Sequence, residues 1–253
     1  MPPKITLCAD DFGLSASINQ GILNLAAEGR LDAVSCMTTL PLWPEAGRKL
    51  KAYRHQVQCG LHLNLTETTG VNLKTIMHRA FLRQLDQATL VLEIKRQIDA
   101  FKRVMGSRPD FIDGHEHVHQ FPQVREALLQ VYSEYYPQKT AWIRVSAQPH
   151  WWQNFRSFKG LVIALSGGIK LRHLLQKQAI PHNTSFSGIY DFDPNCNYAQ
   201  LFEGFLQESK AGGLIMCHPG LPEEQAIAKD ALYKTRALEY DFIKNTLNKN
   251  AKA

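Results

Sequence analysis

Short apolar segments alternate with longer amphipathic patterns along most of this chain, and the alternation restricts the fold more than any other feature. Compact runs of apolar residues predict strands, whereas apolar residues spaced three and four positions apart predict helices. Strand–helix alternation is typical of a parallel sheet covered by helices, the α/β class. Strands are predicted at residues 5–9, 33–37, 57–65, 111–113, 142–145 and 214–217, and helices at residues 15–28, 90–105, 124–135, 201–209 and 231–247.

The length of 253 residues suits one α/β barrel domain, and no linker rich in glycine, serine or proline divides the chain. We therefore expect a single domain over residues 1–253. The segment 146–193 lacks a regular pattern, and two interpretations of it stay open. It is either an excursion over the sheet edge that lines or covers a cleft, or a packing subdomain. An excursion of this size would suit a homodimer interface. Its aromatic residues are Trp151, Trp152, Phe155, Phe158, Phe186 and Tyr190.

The composition is that of a soluble globular protein, with 44% hydrophobic and 21% charged residues. A net charge of +6 favours an anionic partner only mildly, because the basic residues are interleaved with apolar and amide residues as on solvated helix faces. We therefore expect no nucleic-acid partner. Five cysteines without a CxxC pair argue against a disulfide framework. Since no apolar stretch is long enough to span a bilayer and no signal peptide is evident, a cytoplasmic location is expected.

Acidic, basic and imidazole side chains lie where the predicted strands end. The carboxyl ends of parallel strands meet at one rim of an α/β fold, and active sites collect there. Taken singly, each of these residues also fits a purely structural role, such as a place in a solvated turn or a histidine packed in the core. Their shared location favours a functional site. The residues are Asp10, Asp11, His62, Asp113, His115, Arg144 and His218.

The run Asp-Gly-His-Glu-His-Val-His at residues 113–119 is too rich in imidazole for an ordinary packing surface. If the backbone is extended, Asp113, His115, His117 and His119 share one face of a strand. Neutral imidazole is a preferred ligand of zinc-like ions. The run therefore predicts part of a metal site, although the spacing does not choose among the three histidines.

Four motifs together resemble the YdjC family of carbohydrate deacetylases, which includes chitooligosaccharide deacetylases and the HpnK proteins associated with hopanoid biosynthesis. They are Ala-Asp-Asp-Phe-Gly-Leu-Ser at 9–15, Gly-Leu-His-Leu at 60–63, the histidine run at 113–119 and Met-Cys-His-Pro at 216–219. The resemblance implies a distorted (β/α) barrel related to polysaccharide deacetylases. It also implies one divalent metal ion held by an aspartate and two histidines.

Carried onto this chain, the resemblance implies that Asp11, His62 and His115 are the metal ligands. It implies that Asp10 is the general base and, more loosely, that His218 is the general acid. The remaining candidates for substrate binding or for support of the ligands are Asp113, His117, His119 and Arg144. Two imidazoles and one carboxylate suit zinc, cobalt or manganese, whereas the family resemblance implies magnesium, so the metal stays open.

The expected reaction is hydrolysis of the acetyl group from an N-acetylated sugar, which releases acetate and a free amine. The substrate would be a small carbohydrate, similar to a chitooligosaccharide or a glycolipid. Two alternatives remain. One is a metal-dependent hydrolase of another class, such as a phosphoesterase, and the other is a sugar-binding or metal-binding protein without catalytic activity.

Overall fold

Seven parallel strands form a single curled sheet in the part of the chain that this computed structural model describes, residues 5–67, 69–147, 167–222 and 232–246. Their order across the sheet is β5-β4-β3-β2-β1-β7-β6, and every neighbouring pair is parallel. The predicted α/β fold is therefore confirmed. The strands are β1 (Thr6–Phe12), β2 (Ala33–Cys36), β3 (Gln58–Leu63), β4 (Phe111–Gly114), β5 (Trp142–Ile143), β6 (Phe186–Ser187) and β7 (Leu214–Cys217).

Helices connect the strands, and local signals in the sequence set several of their ends. The Ser15 hydroxyl accepts a hydrogen bond from the Ile18 N–H at 3.2 Å, and Gly106 ends a long helix with a φ of 83°. None of the helices in the described ranges has the length and apolar character needed to cross a membrane. They are α1 (Ala16–Ala27), α2 (Trp43–Lys51), α3 (Leu73–Phe81), α4 (Gln87–Met105), α5 (Val124–Tyr135), α6 (Ile169–Lys177), α7 (Tyr198–Glu208) and α8 (Tyr233–Thr246).

Four elements, α2, α3, α6 and β6, were absent from the sequence prediction. The three helices have nine residues each, too few for a clear periodic pattern of apolar side chains. The described part of the segment 146–193 contains α6 and β6. Phe186 and Tyr190 are buried there. Trp151, Trp152, Phe155 and Phe158 lie outside the described residues.

Side-chain alternation along the strands separates a helix-covered face from an inner face. On β1, Leu7 and Ala9 pack against the helices, whereas Cys8 and Asp10 lie on the inner face. Apolar side chains fill the inner face nearer the starts of the strands, and polar side chains follow toward the carboxyl ends. The inner apolar cluster consists of Cys8, Ala33, Phe111, Phe186, Leu214 and Met216.

The segment that follows β3 is attached to α4 by one buried amide side chain. The Gln97 side chain accepts a hydrogen bond from the Asn64 N–H at 3.0 Å and donates one to the Asn64 carbonyl at 2.6 Å. Both residues are fully buried. We call this pair of hydrogen bonds between Gln97 and Asn64 the clamp. Because His62 lies two residues before Asn64, the clamp also fixes the end of β3, the strand that carries His62.

We expect Gln97→Leu to lower the free energy of unfolding by about 1–3 kcal/mol, because it leaves two buried backbone groups of Asn64 without partners. Urea denaturation followed by circular dichroism measures the change. Gln200→Leu, at an exposed position on α7, is the matched control and should leave stability nearly unchanged. Equal stabilities of the two variants would contradict the role of the clamp.

Candidate metal centre

Asp10 and Asp11 both reach the inside of the curled sheet although neighbouring strand residues normally point to opposite faces. The pairing of β1 with β2 changes register between Ala9 and Phe12, and Asp11 has a φ of 66°. A bulge of this kind redirects a side chain at the end of a strand, and aspartate tolerates the left-handed region better than most residues. The bulge therefore presents two adjacent carboxylates to the same space.

Asp11, His62 and His115 come together from three separate segments. The distance from Asp11 Oδ1 is 2.9 Å to His115 Nδ1 and 3.4 Å to His62 Nε2. One ligand atom from each residue lies within 4.8 Å of the other two. One carboxylate oxygen and two imidazole nitrogens at this spacing are the donor set of a three-ligand site that leaves positions for water and substrate. These residues fit a divalent ion.

The ring of His62 is oriented by groups on its far side. His62 Nδ1 lies 2.7 Å from Asp113 Oδ1 and 3.0 Å from the Ser35 hydroxyl, which also donates a hydrogen bond to Asp113. A carboxylate at one ring nitrogen fixes the direction of the other and increases its basicity as a ligand. Nε2 therefore points at Asp11, and Asp113 orients the His62 ring.

Arg144 joins Asp10 and Asp113 in a fully buried cluster of charges. Its guanidinium donates to both Asp10 oxygens, at 2.6 and 2.7 Å, and pairs with Asp113. Burial opposes ionisation of Asp113, yet Arg144 and His62 hold the pKa of its carboxyl well below the usual value. Cys8, Asp10 and Asp113 also form a ligand-like group, but the Arg144 guanidinium contacts all three and supplies the cation there.

The histidine run does not continue β4, so the prediction that Asp113, His115, His117 and His119 share a strand face is wrong. The strand ends at Gly114, and His115–Gln120 form a 3₁₀ turn in which Glu116 and His117 have φ angles of 52° and 59°. Gly114 permits the turn, because a Cβ there would lie 2.9 Å from His119 Nδ1. Because two consecutive residues have left-handed backbone angles, the three imidazoles point in different directions.

His117 and His119 lie apart from the three-residue cluster. His119 Nε2 donates to the Arg144 carbonyl at 2.9 Å, and burial lowers the pKa of His119 to about 4. His119 therefore supports the chain around Arg144. His117 packs its ring edge on Phe186, and its Nδ1 has no hydrogen-bond partner within the described ranges. Burial lowers the pKa of His117, so its ring is neutral near pH 7.

Sequence reasoning missed Arg236 and Glu239, two buried residues of α8. Arg236 donates to Asp11 Oδ2 at 2.7 Å, and Glu239 accepts hydrogen bonds from the His218 backbone N–H and from the Tyr190 hydroxyl. Burial opposes ionisation of Asp11, but Arg236 and His115 hold its pKa well below the usual value. Burial raises the pKa of Glu239 to about 7. Their spacing of three residues, which places both on one helix face, was the available signal.

A cavity of about 810 Å³ opens above the cluster. Asp10, Asp11, His62, His115 and His218 line it together with His117, whereas Asp113, His119 and Arg144 are not among its lining residues. The last three can act only through neighbours that reach the cavity. Burial lowers the pKa of His218 to about 4, so its imidazole is neutral near pH 7. The apolar part of the lining includes Leu14, Ile18, Ile189, Phe192, Leu221 and Leu232.

Comparison with known proteins finds a match to the model of the YdjC-like protein family over residues 4–250. A carbohydrate deacetylase of Danio rerio is 31% identical over 52% of this chain and 47% of its own length. A chitooligosaccharide deacetylase of Proteus mirabilis is 30% identical over 54% and 56%, so the chain spans about half the length of these two relatives. A chitooligosaccharide deacetylase of Yersinia pestis is 25% identical over 92% and 88%.

Solved structures share the architecture. The crystal structure of a candidate cellobiose-phosphate cleavage protein from Enterococcus faecalis has a TM-score of 0.70 at 19% identity, and covers 97% of this chain and 92% of its own. The Bc1960 peptidoglycan N-acetylglucosamine deacetylase has a TM-score of 0.50 at 11% identity, with coverages of 95% and 82%. Likeness at these identities shows the fold alone, and the expected distorted barrel is confirmed.

We expect His115→Ala to abolish stoichiometric Zn²⁺ binding and His117→Ala to retain it, because only His115 lies within ligand distance of Asp11 and His62. Metal content after dialysis, measured by mass spectrometry, tests this. The two variants remove the same side chain two positions apart, so each is the control for the other. Retention of zinc by His115→Ala and its loss from His117→Ala would reverse the ligand assignment.

Without metal, stability should fall as the pH rises, whereas the stabilisation that zinc adds should grow. Burial opposes protonation of His62 and His115, but nearby carboxylates outweigh it and raise their pKa values to about 9 and about 10. In the unfolded chain, a histidine titrates near ~6.5. The stabilisation from these protons is therefore complete below pH ~6.5 and is lost as the pH rises through 9 and 10. Zinc requires neutral imidazoles, so its stabilisation grows as the pH rises.

We expect the Tm of chelator-treated protein to fall between pH 7 and pH 9, and the increase in Tm on adding Zn²⁺ to grow over the same interval. Differential scanning fluorimetry measures both quantities. The double variant His62→Gln/His115→Gln should flatten both trends. A zinc effect that does not change with pH would show that these imidazoles are not the ligands.

Proposed function

Because this chain belongs to the YdjC-like protein family, we propose that it is a metal-dependent N-deacetylase of acetylated amino sugars. The observation that carries the proposal is the convergence of Asp11, His62 and His115 within 4.8 Å at a cavity of about 810 Å³. Relatives named carbohydrate deacetylase and chitooligosaccharide deacetylase support a small N-acetylated carbohydrate as the substrate. The five free thiols are compatible with a reducing compartment such as the cytoplasm.

Asp11, His62 and His115 would hold one divalent ion, and their donor atoms suit zinc, cobalt or manganese better than magnesium. When bound, such an ion lowers the pKa of water and polarises a carbonyl oxygen. The protein contributes ligand orientation: Asp113 fixes the His62 ring, and Arg236 fixes the Asp11 carboxylate. An amide is a poor electrophile, so this assistance is what the reaction needs.

Asp10 is the proposed base. It lines the cavity, and its Oδ2 lies 4.0 Å from His62 Nε2, beside the ligand cluster. The two hydrogen bonds from Arg144 fix the direction of the carboxylate. Asp10 would accept a proton from the attacking water, a step typically worth about 10²–10⁴ in rate.

His218 is the proposed acid, since the departing amine must gain a proton as the amide C–N bond breaks. Its ring is neutral near pH 7, because burial lowers its pKa to about 4. It must therefore first receive the proton that Asp10 takes from the water, which returns Asp10 to its carboxylate form, and then pass that proton to the nitrogen. His117, which lines the same cavity, would bind a polar group of the substrate.

We expect Asp10→Asn to lower kcat by about 10²–10⁴ while Zn²⁺ binding is retained, because the base is lost and the three ligands remain. Acetate release is measured with N-acetylglucosamine, its β-linked dimer and lipid-linked analogues. Asp99→Asn, on the exposed face of α4, removes the same charge far from the cavity and should behave as the wild type.

A parallel assay of phosphate release from sugar phosphates tests the phosphoesterase alternative. Phosphate release without acetate release from the zinc-loaded protein would replace the deacetylase proposal. Zinc binding without hydrolysis of either class would favour a binding protein.

A further inference from the structure

Helix α8 carries two charged residues that are almost fully buried, Arg236 at 4% and Glu239 at 1% exposure. Three positions apart on a helix, they lie on the same face. Buried charges are costly, and apolar residues of similar volume often stabilise a fold as well or better. Packing alone therefore does not account for this pair.

The two carboxylate oxygens of Asp11 have different partners because Arg236 binds one of them. Asp11 Oδ2 accepts a hydrogen bond from the guanidinium at 2.7 Å, whereas Oδ1 faces the imidazoles of His62 and His115. With Oδ2 engaged, only Oδ1 is directed at the cluster. A single carboxylate oxygen leaves more positions for water and substrate than a bidentate carboxylate would.

Glu239 and the backbone of Arg236 hold the segment that carries His218. The His218 N–H donates to Glu239 Oε2, and the Gly220 N–H donates to the Arg236 carbonyl at 3.1 Å. On the other side, a Cβ on Gly21 of α1 would lie 3.0 Å from the Gly220 Cα, so α1 and α8 enclose the segment closely. The Tyr190 hydroxyl donates to Glu239 Oε1 at 2.6 Å and completes its surroundings.

We propose that Arg236 and Glu239 are positioning residues with separate tasks. Arg236 determines which Asp11 oxygen faces the metal ion, and Glu239 determines where the His218 backbone, and with it the imidazole, lies relative to the substrate. The proposal rests on the proposed deacetylase function. It predicts that substitutions one turn apart on the same helix affect different measurements.

The test compares Arg236→Met and Glu239→Ala with two controls from the exposed face of α8, Lys244→Met and Asp241→Asn. Zn²⁺ affinity is measured by titration calorimetry in competition with a chelator. Steady-state acetate release from the β-linked dimer of N-acetylglucosamine gives kcat and KM. The controls should match the wild type in all three quantities.

We expect Arg236→Met to weaken Zn²⁺ binding by about 10–100-fold, as is typical when a partner of a ligand is removed. Glu239→Ala should leave Zn²⁺ affinity unchanged and lower kcat by about 10–100-fold with little change in KM. Glu239→Gln should recover part of kcat, because its amide oxygen can still accept the His218 N–H. If Arg236→Met fails to fold, Arg236→Lys provides the affinity test and should bind Zn²⁺ more weakly at an unchanged Tm.

If both variants lose Zn²⁺ affinity, kcat and Tm in parallel, the two residues only stabilise the fold, and the inference is wrong. The inference is also wrong if both variants match the controls. A wild-type protein that binds no Zn²⁺ and releases no acetate would instead refute the proposed function. The two failures are therefore distinguishable.

Discussion

The buried guanidinium of Arg144 is the contact on which the site depends. Arg144 follows the edge strand β5, yet it binds Asp10 on the interior strand β1 at 2.6 Å. Three strands separate β5 from β1, a span of about 19 Å in a flat sheet. An arginine side chain cannot reach that far, so the contact exists only because the sheet curls. Removing Arg144 would leave the buried carboxylates of Asp10 and Asp113 without their shared cation, typically a loss of about 3–5 kcal/mol.

From Arg144 a chain of contacts leads to the proposed ligands. The guanidinium holds Asp113, Asp113 holds the Nδ1 side of His62, and the Nε2 side of His62 faces Asp11. Arg236 holds Asp11 from the opposite direction. Each of these side chains meets a partner of opposite charge or a hydrogen-bond donor, which is the condition for keeping such groups buried. The geometry of the cluster is thus set in part by Asp113 and Arg144, which do not line the cavity.

The fold was largely predictable because its signals are local. Apolar periodicity over α4 and α5, the serine cap of α1 and the compact run of β7 depend on a few neighbouring residues. Three nine-residue helices and the two-residue strand β6 escaped the prediction, because they are too short for periodicity to appear. The histidine run was misjudged for a related reason: its alternation suits a strand, but two left-handed residues turn the chain instead.

The sequence by itself determined which side chains gather at the carboxyl ends of the strands, since parallel pairing and a period of two follow from local pattern. Only the tertiary structure decided which of them meet. His115 lies beside Asp11, whereas His119 donates a hydrogen bond to the Arg144 carbonyl. Arg236 binds Asp11 although 225 positions of sequence separate the two residues. Contacts of this kind depend on the curl of the sheet and on the docking of a distant helix. Both follow from the packing of the whole chain, and a local pattern does not encode them.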